Sequence, residues 1–148
     1  ALDGSLEYAR TFTIDARGVS VETKISGESK DSLAELVETI PVYLGSGQSQ
    51  VSNANVTIEF QYGGKWAPAT AQYTEKVQAV RLTRFGGAVV VTFDKPRRAK
   101  LSSAEWQDTW LNKGALCRNV LIDLLGSNKP AAMTGETSVA YTIRPVQL

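Results

Sequence analysis

The chain has 148 residues, 43% hydrophobic and 21% charged, with 16 basic side chains against 15 acidic ones and no histidine. One domain of that length buries roughly 70% of its unfolded surface, whereas two would each be marginal. A net charge of +1 gives no global attraction to nucleic acid or anionic lipid, and the single Cys117 excludes an intrachain disulfide.

Apolar residues recur at every second position along most of the chain, the pattern of half-buried strands. Leu6, Tyr8, Phe12 and Ile14 share one parity, with Arg10 interrupting the row. A turn at Asp15-Ala16-Arg17-Gly18 leads into Val19, Val21 and Ile25, so a hairpin is predicted. Leu33, Leu36, Val37 and Ile40 also fit a helical spacing, but Pro41 decides for a strand near 35–44, at an edge or bulge. Residues 45–54 read as a Gly/Ser/Gln loop. Val56, Ile58, Phe60 and Tyr62 alternate cleanly, and Gly63-Gly64 makes a two-residue hairpin turn into Lys65-Trp66-Ala67, limited by Pro68. Tyr62 reads as core or rim.

Val80 and Leu82 precede Gly86-Gly87, and Val89-Val90-Val91 suggests a central strand buried on both faces. Ser102 and Glu105 fit a capping box and Gly114 a terminator, predicting a short helix at about 103–112 with Trp106 and Trp110 on one face. Val120, Ile122 and Leu124 form a further strand, and Val139, Tyr141 and Ile143 the last, closed by Pro145. The expectation is a single all-β domain over 1–148, an antiparallel β-sandwich of about ten strands with one short helix. Ala1 at the start reads as processing or as a domain cut from a longer polypeptide. No run of ~18 apolar residues occurs, so no helical membrane span is expected.

The absent chemistry is as informative. Without histidine the commonest general acid/base is missing, and one cysteine cannot build a zinc site. No cofactor is implied, although a structural calcium bound through oxygen ligands stays open, with Asp108 and Asn112 only a loose pair. Cys117, beside Leu116, reads as a small core residue rather than a nucleophile. The carboxylate pairs Glu35 with Glu38 and Glu105 with Asp108 lie three apart; on a strand that spacing sends side chains to opposite faces. Tyr and Arg could serve elimination, but no spacing singles out a pair.

The candidate ligand-binding residues are Trp66 and Tyr73, flat faces suited to a sugar ring, and the cluster Lys95, Arg97, Arg98 and Lys100 flanking Pro96. Those cations would clamp acidic groups, or else form a solvated loop after a Val-rich strand. Trp106 and Trp110 are the candidate interface anchors.

The opening Tyr8-Ala9-Arg10-Thr11-Phe12-Thr13-Ile14, the Gly18 turn and Val19-Ser20-Val21-Glu22 resemble the first hairpin of β-sandwich domains attached to polysaccharide lyases of the heparinase II/III and alginate-lyase type. Val89 to Phe93 followed by Asp94-Lys95-Pro96 is compatible with it. The resemblance covers about half the chain and contains no catalytic signature. It implies a non-catalytic accessory module that binds a polysaccharide, acidic in one version, beside a catalytic domain of the same polypeptide, outside the cytoplasm. The alternatives are a structural domain that packs on a catalytic neighbour and binds no ligand, and a histidine-free lyase or hydrolase.

Overall fold

A computed structural model of the protein describes residues 5–46, 56–84, 86–108, 115–126 and 129–147. The described chain is all-β, with ten strands, antiparallel in every pairing, and no helix among the described residues. The strands are β1 (Glu7–Asp15), β2 (Gly18–Glu28), β3 (Val37–Ser46), β4 (Val56–Tyr62), β5 (Lys65–Pro68), β6 (Thr74–Arg84), β7 (Gly87–Leu101), β8 (Trp106–Asp108), β9 (Ala115–Asp123) and β10 (Thr134–Gln147). The main path runs β1-β2-β10-β7-β6-β4-β5, and β9 joins it through β7 while pairing with β3 and β8.

The predicted turns hold, each for a local reason. At β1/β2, Asp15 accepts from the Arg17 and Gly18 amides, fixing a two-residue turn. Gly18 is required by close approach: a Cβ there would lie 2.1 Å from the Ile143 carbonyl oxygen of β10. Gly63 and Gly64 both have positive φ (56° and 74°), the demand of the tight hairpin between β4 and β5. Pro41 sits in β3, which pairs only with β9 among the described residues, so its missing N–H costs no ladder bond on the other side.

Strand β7 is the spine. Its first half lies between β10 and β6, while Ala99–Leu101 pairs with β9. Val91 is buried, but Val89 and Val90 are only partly so; the strand is central without being buried on both faces. Core side chains from β2, β3, β4, β6, β7, β9 and β10 form one cluster that includes Val21, Phe60, Val80, Val91, Ile122 and Val139. Cys117 is buried, as a small core residue should be.

Two expectations need correction. The predicted helix at 103–112 is not there over its described part: Trp106–Asp108 is strand β8, paired with Ala115–Cys117 of β9. The hydroxyl expected to cap it is used elsewhere. Ser102 Oγ donates to the Ala104 carbonyl and accepts from the Asn119 amide, and the Ser102 amide bonds the Asn119 carbonyl. Ser102 therefore stitches the chain to β9 instead of opening a helical turn. The Trp106 side chain, and all of Trp110 and Asn112, lie outside the described residues. Second, the basic run is no loop but the second half of β7.

The most deeply buried carboxylate among the described residues is that of Glu38. Glu38 of β3, 2% exposed, accepts from Tyr141 Oη (2.9 Å), Thr23 Oγ1 (3.2 Å) and Arg10 Nη2 (2.7 Å), with Arg10 Nε also donating to Thr23 at 3.0 Å. Those partners belong to β10, β2 and β1, none of them a ladder neighbour of β3. Tyr141→Phe removes one bond to a buried charge, and we expect it to cost about 1.5–3 kcal/mol in urea unfolding. Thr142→Val, one residue along on the opposite face, should stay within about 0.5 kcal/mol.

Candidate functional site

Three of the predicted ligand-binding residues converge. Tyr73 follows a loop pinned to the end of β7, where the Leu101 amide bonds the Thr70 carbonyl at 2.7 Å and the Thr70 hydroxyl closes a local turn with Gln72. Arg98 and Lys100 alternate with buried Ala99 and Leu101, so both point to the other face of β7. There the Arg98 guanidinium lies 3.7 Å from the Tyr73 ring centroid and the Lys100 ammonium 4.4 Å from it. Glu35 completes the group: it accepts from the Tyr73 hydroxyl at 3.1 Å and pairs with Lys100. Its segment is fixed by a two-way backbone bridge between Leu33 and Ala131 and by the Leu124 amide on the Leu36 carbonyl.

Lys95, Arg97 and Arg98 line an adjoining polar cleft of about 460 Å³ with Glu75, Asp123 and Glu136. The pairing between β6 and β7 is irregular here, with register shifts between Thr74 and Ala79. Lys76, inside that stretch, has φ of 56°, the one positive value outside glycine among the described residues. Such a conformation is unfavourable for a lysine and marks a strained stretch of cleft wall.

The cations of the cluster are matched internally. Arg98 donates to Glu75 (2.7 Å) and to buried Asp123 (3.0 Å), whose other oxygen takes the Leu125 amide. Arg97 is buried, donating to Asp94 at 2.7 Å and to the Ser138 carbonyl at 3.0 Å. A run that looks like an anion clamp in the sequence is therefore largely a set of ion pairs tying β7 to β6, β9 and β10. Lys95 remains an exposed charge at the cleft.

Trp66 is elsewhere. Arg81 lies 4.5 Å from its ring centroid and is itself held by Glu59 at 2.8 Å, the residue opposite it on β4. That cation occupies a face on which a sugar would stack, and Trp66 does not line the cleft. Of the six binding candidates, Tyr73, Arg98 and Lys100 form one group, Lys95 and Arg97 share the cleft with Arg98, and Trp66 is separate. The sequence reading missed Glu35, Glu75 and Asp123 as partners; cross-strand counterions have no fixed spacing.

The carboxylate pair Glu35 and Glu38 is split, one on the surface in the loop before β3, which starts at Val37 rather than near 35, and one in the core. The unforeseen Tyr141–Glu38–Arg10 trio has residue types suited to elimination, yet burial and the adjacent Glu38 raise the Tyr141 phenol well above its ordinary range. Burial and Glu35 likewise raise the Tyr73 phenol, so both stay protonated near neutrality. Among the described residues, no three His, Cys, Asp or Glu side chains group to hold a metal ion.

Lys100 holds the Glu35 carboxyl below its ordinary 4.5, and Glu35 holds the Lys100 ammonium above its ordinary 10.5. The carboxylate's contribution to stability is full above 4.5 and fades as pH falls through the lowered value. The ammonium's contribution is full below 10.5 and fades as pH rises through the raised one. Both groups are partly exposed, so Lys100→Met should cost under ~1 kcal/mol near neutral pH. Chemical unfolding of the two proteins should show that difference shrinking as pH falls below 4.5 and through the lowered Glu35 value, where the carboxylate takes up its proton.

No family model matches the chain, and a search of characterised proteins finds no relative.

Proposed function

We propose that the chain is a non-catalytic β-sandwich module that holds a hydroxyl-rich polymer, a polysaccharide segment, in the cleft beside Arg98. The sandwich reading is supported by Glu38 and its neighbours on β3, which meet side chains of β2 and β10 without sharing a ladder with them. A non-catalytic role is favoured by the two phenols just described, which are held in the form that cannot act as a base.

The observation that carries the ligand class is the lining of the cleft. Donors from Lys76 and Lys95 stand among acceptors from Glu136, Thr137 and Ser138, around the Arg98 guanidinium and the Glu75 and Asp123 carboxylates that it pairs. A sugar hydroxyl both donates and accepts, so a mixed lining suits it. A polyanion would meet three carboxylates. The proposal therefore favours a neutral or sparsely charged glycan over the strongly acidic one suggested by the basic run alone. Tyr73, faced by Arg98 and Lys100, forms the adjoining wall rather than an open stacking platform. The accessory role beside a catalytic domain, outside the cytoplasm, belongs to the same proposal and rests on the resemblance of the first hairpin.

Affinity electrophoresis against neutral and acidic glycans tests it. A neutral glycan should retard the chain, and Lys95→Ala or Glu136→Ala should weaken retardation about five- to tenfold, the loss of roughly one solvent-exposed hydrogen bond worth ~1 kcal/mol. Trp66→Ala should leave it unchanged. Unaltered migration in every glycan overturns the ligand class, and retardation that survives both cleft substitutions overturns the site.

A further inference from the structure

Strand β1 ends the main path of the sheet, and among the described residues it pairs only with β2. The direction of its free bonding groups follows from the register. Asp15 and Gly18 flank a two-residue turn, and Ser5, an even ten residues back along the chain, bonds its amide to the Glu28 carbonyl. Odd-numbered residues of β1 therefore turn their N–H and C=O groups toward β2, and Tyr8, Arg10, Phe12 and Ile14 turn theirs to the open edge.

The same four residues share the face on which Arg10 reaches Glu38, the face of the core. Yet Tyr8, Phe12 and Ile14 are 52%, 59% and 78% exposed. An apolar row thus lies uncovered on a nine-residue open edge. The opposite end of the sheet is guarded: β5 has four residues and finishes on Pro68, which has no N–H to offer.

We propose that this edge is the contact between two copies of the chain, joined by antiparallel pairing of β1 with β1 about a twofold axis at Phe12. The charge pattern selects that register. Centring on Arg10 would set two guanidiniums opposite each other, and centring on Thr11 would oppose Glu7 and Asp15 at both ends. Centring on Phe12 stacks the two Phe12 side chains, places Arg10 beside Ile14 of the second copy, and brings Glu7 to the turn that carries Arg17. Arg17 is largely exposed, with only a surface partner in Asp15. The outward groups of Arg10, Phe12 and Ile14 then form ~six hydrogen bonds across the axis, and the two apolar rows lie side by side on one face, where cross-strand neighbours touch. The contact is isologous, so it closes as a dimer and leaves no edge for a third copy.

Sedimentation of the intact chain from micromolar to millimolar concentration tests this. The wild type should pass from monomer to dimer. Phe12→Pro removes an N–H that serves only the open edge, and Ile14→Lys places a charge in the row; each should remain monomeric where the wild type is dimeric, with an unchanged circular dichroism spectrum. Under oxidised glutathione, Phe12→Cys should cross-link to a covalent dimer, whereas Thr11→Cys, at the centre of the rejected register, and the wild type with its buried Cys117 should not. A wild type that stays monomeric throughout overturns the proposal. So does a dimer that survives both Phe12→Pro and Ile14→Lys, or one that Thr11→Cys traps in preference to Phe12→Cys. None of these readouts involves a glycan.

Discussion

A single buried charge constrains this molecule more than any apolar contact. An ionised carboxylate taken out of water costs several kcal/mol unless donors meet it, and Glu38 is met by three side chains on three strands. Aliphatic surfaces tolerate alternative packings with small losses. A carboxylate that must find Tyr141, Thr23 and Arg10 together ties β3 to β10, β2 and β1. Since β3 pairs with β9, which also pairs with β8 and with the end of β7, Glu38 adds a polar tie at the β3 side of a ribbon that the β7 ladder holds at the other. Arg10 shows the same logic from the other side: in an otherwise apolar row, it is the residue that reaches inward to the charge.

The same accounting of partners shapes the functional reading. Basic residues crowded in sequence suggest a positive surface, but a charge already answered by a carboxylate has little left to give a ligand. Arg97 and Arg98 act mainly on their own fold, drawing β7 against β6, β9 and β10. What they leave is a recess of mixed polarity beside a strained lysine, better matched to hydroxyls than to a polyanion. The aromatic candidates are engaged in the same way, since Trp66 and Tyr73 each have a cation over the ring.

Much of the fold was legible because strands declare themselves by parity and their turns by glycine. The hairpins at Asp15–Gly18 and Gly63-Gly64, the clean run from Val56 to Tyr62 and the edge position of Pro41 could all be read directly. The helix was misread because Ser102 and Glu105 satisfy a capping rule locally, while the acceptor and donor that claim Ser102 belong to Asn119, distant in sequence. The row Tyr8, Phe12, Ile14 was correctly phased but not exposed in the reading, since alternation reports which residues share a face and not whether anything covers it. The site was half legible for a similar reason. Residue types marked Tyr73, Arg98 and Lys100, but their carboxylates come from a loop and two other strands.

The place of β10 in the sheet has a consequence for how the chain acquires its shape. Strand β10, last in chain order among the described strands, lies between β2 and β7. Until β10 emerges from the ribosome, the first hairpin and the block formed by β4 to β7 have no common ladder, and each waits with an unsatisfied border. Closure by so distant a segment is entropically slow, and the waiting borders are open to wrong pairings with other nascent chains. Completion of the sheet is therefore governed by the arrival of Thr134–Gln147.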